Sequence, residues 1–175
     1  MRLLIPALLA LSFVGCSCQR QPDPDAAVAP PAAPAPDDAQ TRAQAAAAQR
    51  AQAQSQQRLE AMTDAVNELH QYLQKLGSGK REEADKHWAY QRLPRGNEEA
   101  DLRALDNLRA IRIENDTPKQ IDQEPQPELL EIPVDLRVSM QDGENRRYKG
   151  WYRMKRNPVD RRWELIGVSI AVVLR

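Results

Sequence analysis

Residues 130–140 read LEIPVDLRVSM, and this stretch constrains the fold more than any other part of the chain. Leu130, Ile132, Val134, Leu136, Val138 and Met140 alternate with Glu131, Pro133, Asp135, Arg137 and Ser139. Successive side chains leave opposite faces of a strand, so this alternation makes one apolar face and one wetted face. A helix would scatter the same apolar residues around its whole circumference. The chain must therefore build a sheet with one covered face. Pro133 has no N–H for a ladder, so it belongs at a bulge or on an open edge.

The same period continues on either side. Ile111 and Ile113 alternate with Arg112 and Glu114 in a short strand. QDGEN reads as a turn, after which Tyr148, Gly150, Tyr152 and Met154 continue the inner face on a further strand. NPVD, residues 157–160, turns the chain again. The last segment, RWELIGVSIAVVLR, is nearly all apolar after Glu164. Being apolar on both faces, it is expected to be central or covered, and Gly167 within it marks a bulge.

Something must cover the apolar face, and the preceding segment supplies helices. Leu59, Met62, Val66, Leu69, Leu73 and Leu76 recur at steps of three and four, which gathers them on one helical stripe. Gly77 suits the left-handed position that closes a helix. Shorter helices are expected in REEADKHWAY and in NEEADLRALDNL, the latter with Asn97 as N-cap. Helices followed by strands predict an α+β domain over residues 58–175, its N-terminal helices packed on one face of a curved antiparallel sheet.

Residues 19–57 contain no aromatic residue and no Leu, Ile or Met, too little apolar surface to offset the entropy of ordering. Residues 16–57 are therefore expected to form a tether. Its Pro-rich part, residues 21–36, should be extended. Its Ala/Gln-rich part, residues 39–57, should be a solvated helix that runs into the domain. Asp37 and Asp38 fit the N-cap and first turn of that helix. Lys and Arg total 25 against 25 Asp and Glu, which gives no bulk attraction to nucleic acid.

The N-terminus indicates an address. Residues 3–14 are apolar and follow Arg2, a stretch too short for a membrane span of roughly 20 residues but suited to a signal peptide over residues 1–15. Phe13-Val14-Gly15-Cys16 resembles the bacterial lipobox. That resemblance implies diacylglyceryl transfer to the Cys16 thiol, cleavage before it and acylation of the new amine, hence a membrane partner reached through covalent lipid. Ser17 at the second mature position implies outer-membrane retention on the periplasmic face. Cys18 is then left without an intramolecular disulfide partner, since no third cysteine exists.

The order of helices and strands also resembles the nuclear transport factor 2-like superfamily, in particular its small bacterial lipoprotein branch. GKREEADKHWAY, LRALDNLRAIRI, YKGWYRM and WELIGVSI carry that likeness over roughly residues 58–175. It implies a cone with a pocket between sheet and helices. Some members are ketosteroid isomerase-like enzymes or polyketide cyclases, in which a buried carboxylate acts. Others are binding or assembly modules.

Here the inner faces of both long strands lack Asp, Glu and His, so no catalytic residue is assigned. Tyr148 and Tyr152 are candidate pocket-lining residues, their hydroxyls reaching the rim. His70 and His87 share no ligand spacing, and neither a metal nor a cofactor is called for. The favoured reading is a lipid-anchored, non-enzymatic binding, assembly or maintenance module of the envelope. The alternatives are a small-molecule isomerase or cyclase, and an immunity or inhibitor protein against an envelope-targeting toxin.

One surface feature stands out. From residue 138 onward nine Lys/Arg meet four Asp/Glu. The outward face of residues 147–155 carries Arg147, Lys149, Trp151, Arg153 and Lys155. These residues fit three roles: a solvated face whose cations meet acids on the next strand, a homodimer contact centred on Trp151, or a docking face for an anionic envelope partner. Side-chain parity allows Asp135 beside Arg153 or Glu131 beside Lys155.

Overall fold

The computed structural model describes residues 36–174 except 92, 94, 95 and 97, with side chains from residue 38 onward. Cys16, Cys18, the signal segment, the Pro-rich stretch before residue 36 and the expected Asn97 cap lie outside the described residues. The chain divides into units 1–40 and 41–175, and the packing described below belongs to the second.

Helix α1 spans Pro36–Gly77, 42 residues or about 63 Å at 1.5 Å per residue. It starts at Pro36, where proline's fixed φ suits a first helical turn, so Asp37 and Asp38 fall inside the first turn and not at the cap. Side chains 38–60 are almost all exposed, and the helix enters the core at Ala61. The buried stripe is Ala61, Ala65, Leu69, Tyr72, Leu73 and Leu76, with Met62 and Val66 packed at its margin. Leu59, expected on the stripe, is 62% exposed. Five of the six expected stripe residues thus lie in the core or against it, and the covered face is wider than the expected line, taking in Ala61, Ala65 and Tyr72 as well.

Helix α1 closes on Gly79, not Gly77. Lys80 N donates to Lys75 O at 2.9 Å and Gly79 N to Leu76 O at 3.1 Å. With Gly79 at φ +76°, these nested bonds are a Schellman motif. Gly77 serves packing instead, since a Cβ there would lie 3.1 Å from Ile111 Cγ1. The next two helices are shorter than expected: α2 is Arg81–Asp85 and α3 is Ala100–Arg103, with a 3-10 turn at Ala89–Gln91 between them. Beyond α2 the chain lays His87 and Trp88 against the last strand.

Five antiparallel strands follow: β1 Leu108–Asn115, β2 Lys119–Gln120, β3 Leu129–Met140, β4 Asn145–Arg156 and β5 Trp163–Val172. Their order is β1-β3-β4-β5, with β2 pairing β3 beyond the end of β1. All six expected inner residues of β3 are buried. Each such aliphatic side chain stabilises the fold by about 1.5–3 kcal/mol relative to exposure. Pro133 lies where the edge ladder is interrupted, between the Asn115–Val134 and Lys119–Glu131 pairs, and its carbonyl accepts from Asp116 N at 3.1 Å. Gly167 sits at the expected bulge, where Arg153 pairs Gly167 and Met154 pairs Leu165.

Strand β5 is not central. It is the outermost strand, and the α2–α3 connection covers its edge. Leu165 N donates to His87 O at 2.9 Å, and Ile170 N to Glu98 O at 3.4 Å. Trp88 bridges to Leu165. Ile166 and Val172 nevertheless keep partial exposure. Between β4 and β5 the backbones come so close at Gly150 that a Cβ would lie 1.9 Å from the Ser169 carbonyl oxygen.

Candidate functional site

Two arrangements carry chemistry, one behind the sheet and one in front of it. The first is centred on Glu99, which is 1% exposed. Tyr72 on α1 donates its hydroxyl to Glu99 Oε2 at 2.5 Å, and Tyr152 on β4 donates to Oε1 at 2.5 Å. Arg103 Nη1 lies 3.6 Å from Oε2 and donates to the Tyr72 hydroxyl at 3.1 Å. Its Nη2 reaches Asp85 on α2 at 2.5 Å.

Burial pushes the Glu99 carboxyl above the usual carboxylate range, against the pull of Tyr152, Tyr72 and Arg103. Burial and the Glu99 carboxylate together push both tyrosine hydroxyls upward. The carboxylate absent from the inner strand faces is thus delivered from the helical side. It is already occupied, since both of its oxygens are held by buried tyrosines.

Tyr152 therefore does not reach a rim: its hydroxyl ends on Glu99. The Tyr148 hydroxyl is buried without a hydrogen-bond partner among the described residues. Alongside, His87 Nδ1 is 2.6 Å from Glu68 Oε1 and its Nε2 is 2.9 Å from Lys75 Nζ. An ammonium can only donate, so Nε2 accepts and Nδ1–H donates to Glu68. His70 Nε2 meets Asn115 Oδ1 at 3.0 Å. Among the described residues no three His, Cys, Asp or Glu side chains are grouped to hold a metal ion. Nor is any described helix long and apolar enough to cross a membrane.

The second arrangement is the outer face of the sheet. Its register follows the expected parity but uses neither of the two proposed pairings: Asp135 faces Lys149, and Glu131 faces Arg153. Arg147 binds Asp135 through two hydrogen bonds, and Lys149 Nζ lies 3.3 Å from the same carboxylate. Asp135 is held at about 2 by the Arg147 guanidinium, with Lys149 adding to the effect.

Arg153 is 3.0 Å from Glu131 and stacks its guanidinium 4.3 Å above the Trp151 ring. Trp151 also extends toward Gly167 on β5, so one face of the ring is already occupied within the chain. Lys155 stands opposite Leu129. The expected stripe is thus partly neutralised across the ladder, and Arg153 covers one face of the half-buried Trp151 ring.

Sequence reasoning missed the way β1 extends this basic surface. Arg112 on β1 faces Arg137 on β3, which faces Arg147 on β4. These three arginines border a surface cleft of about 900 Å³ near the β3–β4 turn. The signal was present as Arg112 and Arg137 on the polar phase of two strands, but only the register aligns them. Comparison of the chain with known protein families, with curated proteins and with solved structures finds no match in any of the three.

Proposed function

We propose that this chain is a lipid-anchored envelope protein, held through Cys16 at the periplasmic face of the outer membrane. Its α+β domain, of the nuclear transport factor 2-like kind, acts there as a non-enzymatic binding, assembly or maintenance module. The observation that carries the non-enzymatic part is the occupancy of Glu99. A base or acid of the isomerase or cyclase type must have an oxygen within reach of a substrate, and here Tyr72 and Tyr152 hold both. No cleft described on the surface is lined by Glu99. What the protein does leave open is the charged outer face of the sheet.

Two experiments test this. Cys16→Ala should abolish palmitate labelling and membrane fractionation, whereas Cys18→Ala should leave both intact; labelling retained in the Cys16 variant rejects the anchor. A phenolic steroid, the sort of ring ligand an isomerase-like pocket would take, should leave the melting temperature unchanged. A stabilisation by that probe, lost in Glu99→Gln, would overturn this reading and put a ligand pocket at Glu99.

A further inference from the structure

The row Arg112, Arg137 and Arg147 sets like charges side by side across three strands, an arrangement that destabilises a sheet when nothing opposes it. Neighbouring strands lie about 4.8 Å apart, so the row spans roughly 10 Å. The counter-charges are few. Glu114 is shared by Arg112 at 3.5 Å and Arg137 at 3.3 Å, and Asp135 by Arg147 and Lys149. Four cations thus divide two carboxylates.

Both carboxylates flank the row on one side, at the adjacent register position where Glu114 faces Asp135. On the other side lies the cleft of about 900 Å³, lined by Arg112, Arg137, Arg146 and Arg147. The one acid among its lining residues is Glu144, which already accepts two bonds from Arg146, at 2.9 and 3.3 Å. The cleft is therefore electropositive on its open side. Its far wall is apolar: Val172, Val173 and Leu174, the last of them 88% exposed.

We infer that this cleft is a docking surface for anionic phospholipid, with the arginine row meeting headgroup phosphates and Leu174 entering the apolar layer beneath them. Guanidinium forks match phosphate oxygens in pairs, and Arg112 and Arg137 keep more donors free for them than Arg147, whose Nε and Nη2 are on Asp135. A row of three with Lys149 behind it suits several phosphates presented side by side better than one free ion. An apolar lip next to the row suits the boundary between headgroup and acyl chain, which a soluble polyanion does not offer. The inference deepens the proposed module by naming what its basic face meets, but it stands apart from lipidation at Cys16.

The test is co-sedimentation of the unlipidated full chain with vesicles of phosphatidylcholine, alone or mixed with phosphatidylglycerol, reading the difference between the two. Any contribution of the N-terminus, with Arg2 and Arg20, is common to the wild-type chain and its variants. The wild-type chain should prefer the anionic vesicles, and salt should weaken that preference. Arg112→Gln with Arg137→Gln should reduce it about tenfold or more, and Leu174→Ser should weaken it without any change of charge. Arg161→Gln with Arg162→Gln removes the same charge elsewhere and should leave most of the preference in place.

Equal binding to both vesicle types overturns the inference, even if Cys16 labelling proves the anchor. Equal losses in the two arginine double variants, with circular dichroism showing both folded, also overturn it, because charge and not the cleft would then be responsible. Displacement by inorganic phosphate at constant ionic strength would assign the cleft to a small free anion and equally overturn it.

Discussion

The Tyr152 hydroxyl, in the middle of β4, donates to Glu99 Oε1 at 2.5 Å and so ties the sheet to the connection ahead of α3. A carboxyl raised by burial holds its proton in the folded chain at a pH where the unfolded chain has released it. Stability should therefore fall as pH rises from the unfolded value near 4.5 through the folded value, and level off above it. Glu99→Gln keeps a neutral partner for the tyrosines and should flatten that limb. Glu99→Ala removes the acceptor of two buried hydroxyls, of which Tyr72 keeps the Arg103 guanidinium as a partner and Tyr152 keeps none, and should cost on the order of 3 kcal/mol. Urea unfolding between pH 4 and 8 separates the two variants.

Asp135 works in the opposite sense. Arg147 holds its folded value at about 2, below the ordinary 3.8. Its contribution should be present above about 3.8 and disappear as pH falls through 2. In Asp135→Asn, Arg147 and Lys149 lose their shared carboxylate. That variant should show a shallower acid limb and a stability that rises with added salt, which screens the exposed cations.

Asp122 organises the chain between β2 and β3. It accepts from Glu128 N at 2.8 Å, Glu124 N at 3.2 Å, the Gln120 amide at 2.6 Å and Leu129 N. Burial works against ionisation there, but these donors outweigh it and its value is lowered. Asp122→Ala should cost about 1–3 kcal/mol, and Asp122→Asn less. Hydrogen exchange at the amides of Glu124, Glu128 and Leu129 should accelerate in proportion.

The expected helical stripe gives a contrast between two leucines. Leu69 is fully buried, and its replacement by alanine should cost about 2–5 kcal/mol. Leu59→Ala, at an exposed position, should stay within about 0.5 kcal/mol. Similar losses at both sites in chemical denaturation would mean that the packed stripe reaches back to Leu59.

Gly150→Ala places a methyl where the Ser169 carbonyl stands 1.9 Å away. Strands β4 and β5 would have to part, so the loss should exceed the usual strand preference for alanine over glycine and appear as a lowered melting temperature. Gly143→Ala, at φ +89° with open space around it, isolates the cost of a positive φ without a clash.

The sheet was legible because its signal is local. Six alternating residues of β3, the proline at the ladder gap and the glycine at the bulge each state their geometry within a few positions. Glu99 was not legible, since NEEAD reads as an exposed helix start. Only Tyr72 and Tyr152, far along the chain, distinguish this acid from its neighbours. The full width of the α1 face was not legible for a related reason. Counting only large aliphatic residues finds Leu69, Leu73 and Leu76 but omits Ala61, Ala65 and Tyr72, which are buried beside them. Likewise the arginine row exists only once β1 has found its partner, because Arg112 and Arg137 are distant in sequence.

Strand β5 and its segment cover set a hazard. Residues 165–174 read LIGVSIAVVL, without a charge or a proline, and would pair readily with another chain through an open edge. Two backbone bonds, to His87 O and Glu98 O, help close that edge, and both acceptors belong to the connection that α2 and α3 hold in place. The Asp85–Arg103 ion pair joins those two short helices. A chain weakened there, as in Arg103→Ala, should fail by self-association before its sheet unfolds, scattering light at temperatures where its β-sheet circular dichroism is still intact.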